Sequence, residues 1–216
     1  MKLKSLFFIF VLLITINLKA QVIDKDGNTY KTVQIGSQTW IAENLNTSHF
    51  LNGDSIPEVE DAGAWALAGQ DGKPAWCYYN TDPVYGRTYH KLYNWFAVND
   101  PRGLSPSGWH VPSTLEWADL TDHLGGENVA GAKMKAPYVW DNAGNGTNES
   151  GLEGLPGGGR SSIGTFDLVG KYGTWWSSSE SSTKGAWVRH LYFGSDSIYR
   201  SDGDKKDGLS VRCVRD

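Results

Sequence analysis

The sequence predicts an α+β domain, with one or two short helices packed on a small antiparallel sheet and long glycine-rich loops between them. Three observations lead to this prediction. A helix-start signal, Ser113-Thr-Leu-Glu116, stands near the middle of the chain. Alternating apolar and polar residues, typical of strands, occur near the N-terminal end and again in the C-terminal quarter. The 216 residues also include 26 glycines, 10 tryptophans and 10 tyrosines.

The number of aromatic residues indicates that the chain folds and is not disordered. Leucine, isoleucine, valine and phenylalanine make up 35 of the 196 residues after position 20, about 18 %, a proportion common in disordered chains. Every tryptophan and tyrosine lies in that same part, however, and disordered chains have few aromatics. Each buried aromatic side chain removes about 150–250 Å² from water. We therefore expect a folded domain with a tryptophan-rich core.

Residues 1–20 are predicted to be a secretory signal peptide. Lys2 and Lys4 give a positive start, residues 6–16 are largely apolar, and Ala20 precedes a plausible cleavage point. The alternative is an uncleaved membrane anchor, but the apolar stretch is shorter than the ~20 residues that a span needs. We expect residues 21–216 to be one exported domain without a membrane span, located in the periplasm, at the cell surface or outside the cell.

The charge of that domain argues against nucleic acid as a partner. Removing Lys2, Lys4 and Lys19 with the leader leaves 17 basic residues against 24 acidic ones, a net charge of −7. Nucleic-acid binders carry a basic stripe, and none is visible here.

The first half of the domain is predicted as a hairpin followed by an irregular stretch. Residues 30–35 and 39–42 alternate as strands around the Gly36-Ser37 turn. Residues 44–85 show no clear periodicity, and residues 88–98 are predicted to form a short helix.

The second half is predicted as helix, loop and sheet. A helix begins at Ser113 and ends at Gly125-Gly126, and another is expected over residues 127–135. Residues 137–165 form a long glycine-rich loop, which is usually functional in a compact domain. Strands are then expected over residues 174–178, 186–193, 197–200 and 209–214.

Alternation gives the faces of the last strands. Val188, His190 and Tyr192 share one face of their strand. The adjacent Trp175 and Trp176 must point to opposite faces, so at least one enters the main core.

The two cysteines allow one intramolecular bridge, Cys77–Cys213, and we expect it to form in an exported chain. The alternative is two separate buried thiols, which pack as small hydrophobic groups.

Patterns typical of enzymes are missing from the sequence. The five histidines show neither H-E-x-x-H nor any paired zinc-ligand spacing, and no G-x-S-x-G elbow occurs. His110, just before a helix start, is interpreted as a structural imidazole bonded to backbone. We predict no catalytic residues and no enzymatic activity.

Calcium is the one cofactor for which the sequence offers ligands. The Asp24–Asn28 turn is not an EF-hand loop, because its glycine and its twelfth residue do not fit. Asn148, Glu149, Asp202 and Asp204 could still supply oxygen ligands, the alternative being solvated loop side chains.

Ligand-binding candidates lie in the long loop. Trp140, beside Asp141 and Asn142, is expected to be the most exposed indole, available to stack on a sugar. Asn142, Asn148, Glu149 and Arg160 from the same loop are further ligand-binding candidates, since sugar sites use polar side chains to bind hydroxyl groups.

A series of motifs, in order along the chain, identifies a family. They are Asp26-Gly-Asn-Thr-Tyr30, Ile35-Gly-Ser-Gln-Thr-Trp40, Glu43-Asn-Leu45, Trp76-Cys-Tyr-Tyr-Asn80, Leu92-Tyr-Asn-Trp95, Arg102-Gly-Leu-Ser-Pro-Ser-Gly-Trp-His-Val-Pro112 with Glu116-Trp117, Leu155-Pro-Gly-Gly158, Tyr172-Gly-Thr-Trp-Trp-Ser-Ser178 and Gly208-Leu-Ser-Val-Arg-Cys-Val-Arg-Asp216. From about residue 22 to 216 the chain resembles the Fibrobacter succinogenes major paralogous (FISUMP) domain.

The resemblance implies a C-type-lectin-like fold and an exported or cell-surface protein of bacteria. The family has no established catalytic residues to carry over. Some members have cysteine where this chain has Ser105. Trp65 and Trp140 lie outside the shared motifs, which makes them the rings most available for binding.

Together these observations predict a non-catalytic binding or adhesion module that presents residues 137–165 to a glycan or a cell-surface protein. The alternative is a structural or assembly component of a bacterial surface appendage, in which the same loop contacts another subunit.

Overall fold

A computed structural model describes residues 21–216, so the predicted signal peptide lies outside the described residues. These residues form a mixed α+β fold, as the sequence predicts. None of the described helices is both long and apolar enough to cross a membrane.

Thirteen strands and five helices are present among the described residues. The strands are β1 Val22–Ile23, β2 Thr29–Tyr30, β3 Thr32–Ile35, β4 Gln38–Ile41, β5 Trp76–Cys77, β6 Leu92–Tyr93, β7 Trp109–His110, β8 Gly157–Arg160, β9 Phe166–Val169, β10 Tyr172–Glu180, β11 Gly185–Tyr192, β12 Ile198–Asp204 and β13 Val214–Arg215. The helices are α1 Ala62–Gln70, α2 Pro83–Tyr89, α3 Trp95–Val98, α4 Thr114–His123 and α5 Glu127–Met134.

The larger sheet has the strand order β12-β11-β10-β8-β9. The antiparallel meander of β10, β11 and β12 confirms the prediction for that part of the chain. Strand β8 lies inside the segment predicted as a loop and runs parallel to β10. The sequence gives no strand signal for β8, because it is rich in glycine and glycine is depleted in strands. Gly158 has φ +62°, and a Cβ there would come within 2.4 Å of the Asp167 carbonyl oxygen, so only glycine fits.

The smaller sheet has the order β3-β4-β13-β7. The predicted hairpin supplies β3 and β4. The last predicted strand, residues 209–214, was expected in the meander, and this is wrong. Leu209 and Ser210 make only single bridges, and the chain then crosses to the smaller sheet, where Val214 pairs with both Trp40 and His110.

The helices of the structure match the predicted ones where the sequence has a strong capping signal. Ser113 caps α4 in a capping box with Glu116, and α5 follows at Glu127. The single helix predicted over residues 88–98 is wrong: α2 ends at Tyr89, before His90 with its φ of +64°, and Asn94 is the N-cap of the separate helix α3. Helix α1 lies in the stretch that was predicted to be irregular. The sequence does not signal it, because its alanines and glycines give almost no amphipathic pattern.

The core is built around tryptophan, as predicted. Trp175 and Trp176 are both buried and belong to different apolar clusters on opposite faces of β10. Eight of the ten tryptophans are buried; the two half-buried rings are Trp109 and Trp187.

Arg212 joins the two sheets to the loop beside them. Its guanidinium is fully buried and donates to the side chain of Asn44 at 2.8 Å and to the carbonyls of Leu152 at 2.7 Å, Glu153 at 3.1 Å and Ala42. Asn44 Oδ1 also accepts from the Trp175 indole at 2.8 Å. Burial lowers the pKa of Arg212 to about 10, so the group stays charged at neutral pH.

Arg189 is equally buried but poorly satisfied. Its Nη2 reaches the Thr114 carbonyl at 3.4 Å, and its Nη1 lies 3.8 Å from the exposed Glu127 carboxylate. Its Nε and Nη1 have no hydrogen-bond partner among residues 21–216.

The predicted Cys77–Cys213 bridge is wrong. Both thiols are free and buried in separate apolar clusters. The Cys213 thiol donates instead to the Ser105 hydroxyl at 3.4 Å. Ser105 is the position at which other members of the resembled family carry cysteine.

The two buried arginines should respond oppositely to substitution. We expect Arg212→Met to destabilise the domain by about 3–5 kcal/mol, because it leaves buried carbonyls without donors. Arg189→Met should be neutral or stabilising, since it removes an unsatisfied buried charge. Urea unfolding midpoints test the pair, and equal losses for both variants would contradict this account.

Thiol counting tests the cysteine arrangement. Burial raises the pKa of both thiols to about 12, so neither should react with a thiol reagent in the folded protein. Denaturation without reductant should release two thiols. After mild oxidation, Ser105→Cys should show one thiol, because its new cysteine would bridge to Cys213.

Candidate functional site

The two half-buried tryptophans differ in what covers their rings. The Arg200 guanidinium lies 4.5 Å from the centre of the Trp187 ring and covers one of its faces. No cation or aromatic ring covers Trp109 among the described residues. Trp109 packs partly against the apolar core, and the rest of its half-buried side chain is free of cationic and aromatic contacts within residues 21–216.

Trp109 lines a cleft on the described part of the chain. This Trp109 cleft holds about 490 Å³, within the roughly 300–1,000 Å³ typical of small-molecule sites. It is lined by Gln21, Val22, Ile23, Thr32, Gln34, Thr39, Ser107, Trp109 and Arg215. Strand β1 contributes one wall, and the open face of the smaller sheet forms the floor.

The sheet register explains why these side chains meet. Gln34 pairs with Thr39, and Arg215 pairs with Trp109. Because Trp40 pairs with Val214, Thr39 and Arg215 are neighbours across β4 and β13. Cross-strand partners share a face, so Gln34, Thr39, Arg215 and Trp109 form one row across the four strands.

Part of the row is held in place and part is free to bind. The Thr39 hydroxyl donates to Gln34 Oε1 at 2.6 Å, and Gln34 Nε2 donates to the Gly36 carbonyl at 2.9 Å. The side chains of Thr32, Ser107 and Arg215 have no hydrogen-bond partner within residues 21–216. The floor thus combines a half-exposed indole with unused polar groups.

A smaller cleft of about 180 Å³ adjoins the first, since both are lined by Ile23 and Ser107. Asp24 and His49 lie in it. Asp24 accepts from the Tyr30 hydroxyl at 2.6 Å and from backbone N–H groups of its own turn, so its carboxylate is already satisfied. The two clefts are therefore neighbours on the surface of the described chain.

His110 braces the strands beneath the Trp109 cleft. Its two ring nitrogens lie 2.7 Å from carboxylate oxygens of Asp216 and Glu116. The predicted bond to backbone is therefore wrong, and the imidazole links β7 to the end of β13 and to α4. Burial works against the charged imidazole, but its hydrogen bonds to the carboxylates outweigh this and raise the His110 pKa. The pKa of Glu116 is lowered, because bonds from Ser113 and His110 exceed the effect of burial.

The long-loop residues predicted to bind a ligand lie elsewhere. The exposure predicted for Trp140 is wrong: its ring is only 4 % exposed, and its indole donates to the Gly154 carbonyl at 3.2 Å. Trp65, the other ring outside the family motifs, is also buried. Arg160 is buried too, donating to the carbonyls of Val59 and Glu60 at 2.5 and 2.7 Å. The side chains of Trp140 and Arg160 therefore pack into the interior of the domain and do not project from the loop into solvent.

Asn142 and Asn148 lie in different surroundings. Asn142 lines a third cleft of about 330 Å³ beside Lys135 and Asn145. Asn148 accepts from the Glu153 N–H at 2.8 Å, while Glu149 is exposed.

The four predicted calcium ligands are not brought together. Asp202 accepts from the Ser181 hydroxyl, and Asp204 pairs with Lys206 at 3.3 Å, whereas Asn148 lies near the end of α5. No group of three or more histidine, cysteine, aspartate or glutamate side chains suits a metal within residues 21–216.

A second aromatic surface lies on one face of the larger sheet. Tyr172, His190, Tyr192 and Tyr199 form an aromatic row in which neighbouring ring centres are 4.8–5.9 Å apart. His190 and Tyr199 are stacked at 15°, so the row presents ring edges more than ring faces. The alternation of Val188, His190 and Tyr192 signals this face in the sequence, whereas the Trp109 cleft depends on strands far apart in the chain.

Comparison with known proteins gives one match. The family model described as Fibrobacter succinogenes major domain matches residues 33–215. The matched residues include the whole row of side chains on the floor of the Trp109 cleft. No curated protein and no solved structure matches the chain.

The His110 brace predicts a pH-dependent contribution to stability. A raised histidine pKa stabilises the fold below 6.5 and ceases to do so as pH rises through the folded-state value. The lowered pKa of Glu116 stabilises the fold above pH 4.5, and this contribution is lost as the pH falls through the folded-state pKa. Thermal melts should therefore show a larger loss for His110→Gln at about pH 5.5 than at about pH 8.5.

The control is His123→Gln, which alters an exposed histidine at the end of α4. It should melt with the wild-type protein at both pH values. An equal loss for His110→Gln at both pH values would contradict the brace.

Proposed function

The chain belongs to the Fibrobacter succinogenes major domain family, and we propose that it is an exported, non-catalytic module that binds a glycan in the Trp109 cleft. The observation that carries the proposal is the row formed by Gln34, Thr39, Arg215 and Trp109. A sugar has an apolar ring face, which suits an indole, and hydroxyl groups at its rim, which suit amide, hydroxyl and guanidinium groups.

The shape of the site supports a polymeric ligand. The Trp109 cleft and its smaller neighbour share Ile23 and Ser107, so one chain of sugars can pass from one to the other. Ile23 lines both clefts, is 55 % exposed and offers a further apolar contact.

The chemistry of the cleft supports binding without catalysis. None of its three hydroxyl groups, on Thr32, Thr39 and Ser107, hydrogen-bonds a histidine or a carboxylate within residues 21–216. A histidine or carboxylate partner is a common way to activate a hydroxyl nucleophile. We further propose that the predicted leader directs export, on the residue pattern of positions 1–20, and that the domain has a C-type-lectin-like fold, on the family resemblance.

A glycan array followed by calorimetry on the best polysaccharide tests the proposal. Trp109→Ala should weaken binding by about tenfold or more, equivalent to ~1.4 kcal/mol or more, because it removes the stacking ring. Thr32→Tyr should fill the cleft and weaken binding while leaving Trp109 in place. Tyr199→Ala, in the aromatic row, is the matched control and should bind normally. Binding that survives both cleft variants would refute the site.

Assembly with another protein is the second candidate, and the aromatic row favours it. Tyr199 is 41 % exposed on the edge strand β12, and exposed tyrosine edges are common in protein interfaces. This function would show as Tyr199→Ala disrupting association in sedimentation experiments while glycan binding persists.

A further inference from the structure

The Trp109 cleft has an unusual charge for this chain. Arg215 is the one charged side chain among the residues that line it, and no carboxylate is present there. The whole chain carries a net charge of −4. A cleft with a lone cation in an acidic protein selects for a ligand with negative charge.

Arg215 is available to such a ligand. Its side chain is exposed and has no ion pair or hydrogen bond within the described chain. Arg102, by contrast, is paired with Asp100 at 2.8 Å. Asp216 directly follows Arg215, but its carboxylate is bonded to His110, on the other side of the strand. The charge of Arg215 is therefore not neutralised by its neighbour.

The position of Arg215 beside Trp109 defines where a negative group would lie. The two residues are direct cross-strand partners on one face, so their Cβ atoms lie about 4.5–5.5 Å apart. A sugar ring stacked on the indole would place a substituent at its rim against the guanidinium. Arginine binds carboxylate and sulfate through two parallel N–H donors, which gives both affinity and orientation.

We infer that the ligand is an acidic glycan whose carboxylate or sulfate groups bind Arg215. This inference rests on the proposed function and narrows it from glycans in general to one charge class.

Calorimetry with matched polymers tests the inference. The probes are polygalacturonate, the same polymer with its carboxyl groups reduced to alcohols, chondroitin sulfate, and chemically desulfated chondroitin. At least one intact acidic polymer should bind about tenfold or more tightly than its neutral or desulfated counterpart. The two pairs separate a carboxylate requirement from a sulfate requirement. Raising the salt concentration should weaken binding of the acidic polymer.

Two variants with the same change in net charge separate the site from the general field. Arg215→Gln should lower affinity for the acidic polymer by about tenfold, to the level of the neutral one. Arg87→Gln, at an exposed position on α2, should leave the affinity unchanged. Ser107→Glu adds a carboxylate at an exposed position in the cleft and should also weaken binding.

The outcomes distinguish the two levels of the proposal. Equal affinity for acidic and neutral forms, with loss in Trp109→Ala, overturns the charge preference and leaves the glycan site standing. Equal loss in Arg215→Gln and Arg87→Gln overturns the assignment to Arg215. No binding of any glycan by the wild-type protein overturns both the inference and the proposed function.

Discussion

The burial of the Arg212 guanidinium is the constraint on which the rest of the structure depends. Moving a cation out of water costs several kcal/mol unless hydrogen bonds replace its hydration. Arg212 donates such bonds to the side chain of Asn44 and to the carbonyls of Ala42, Leu152 and Glu153. These acceptors come from the end of the hairpin and from the glycine-rich segment, far apart in sequence. Each segment has to reach its final conformation before the cation is satisfied, so this one side chain fixes how the loops cross between the sheets.

Other buried cations in the molecule are satisfied in the same way, and this explains how a chain poor in aliphatic residues forms a stable core. Five buried cations each lie over a buried tryptophan ring, at 4.4–5.7 Å from its centre, and each also donates to carbonyls of a loop. The pairs are Lys91 with Trp76, Lys135 with Trp140, Arg160 with Trp65, Lys205 with Trp95, and Arg212 with Trp175. The ring supplies apolar area and a cation–π contact, and the cation satisfies backbone groups that regular strands and helices would otherwise satisfy. These five indole rings are thereby committed to the structure of the core.

Local signals in the sequence predict local structure, but they do not predict which distant segments pair. The capping box at Ser113 and the hairpin around Gly36 act between neighbouring residues, and both are present. Strand β8 has no such signal, because three of its four residues are glycine and its partners lie in β9 and β10. The expected exposure of Trp140 failed for a related reason: what covers the ring is its own loop, folded back by Lys135 and Gly154. The cleft was missed because Gln34, Thr39, Trp109 and Arg215 become neighbours only through pairing between distant strands.

The position of β13 between β4 and β7 has a consequence for the order in which the domain folds. The hairpin of β3 and β4 can form early, since its contacts are local. Strand β7 cannot join that hairpin directly, because Val214 has to lie between Trp40 and His110. A chain emerging from a ribosome therefore keeps an open sheet edge until β13 arrives. The floor of the Trp109 cleft and the completed sheet are products of the same late step, so a molecule that presents an intact cleft has also closed the open edge of β4.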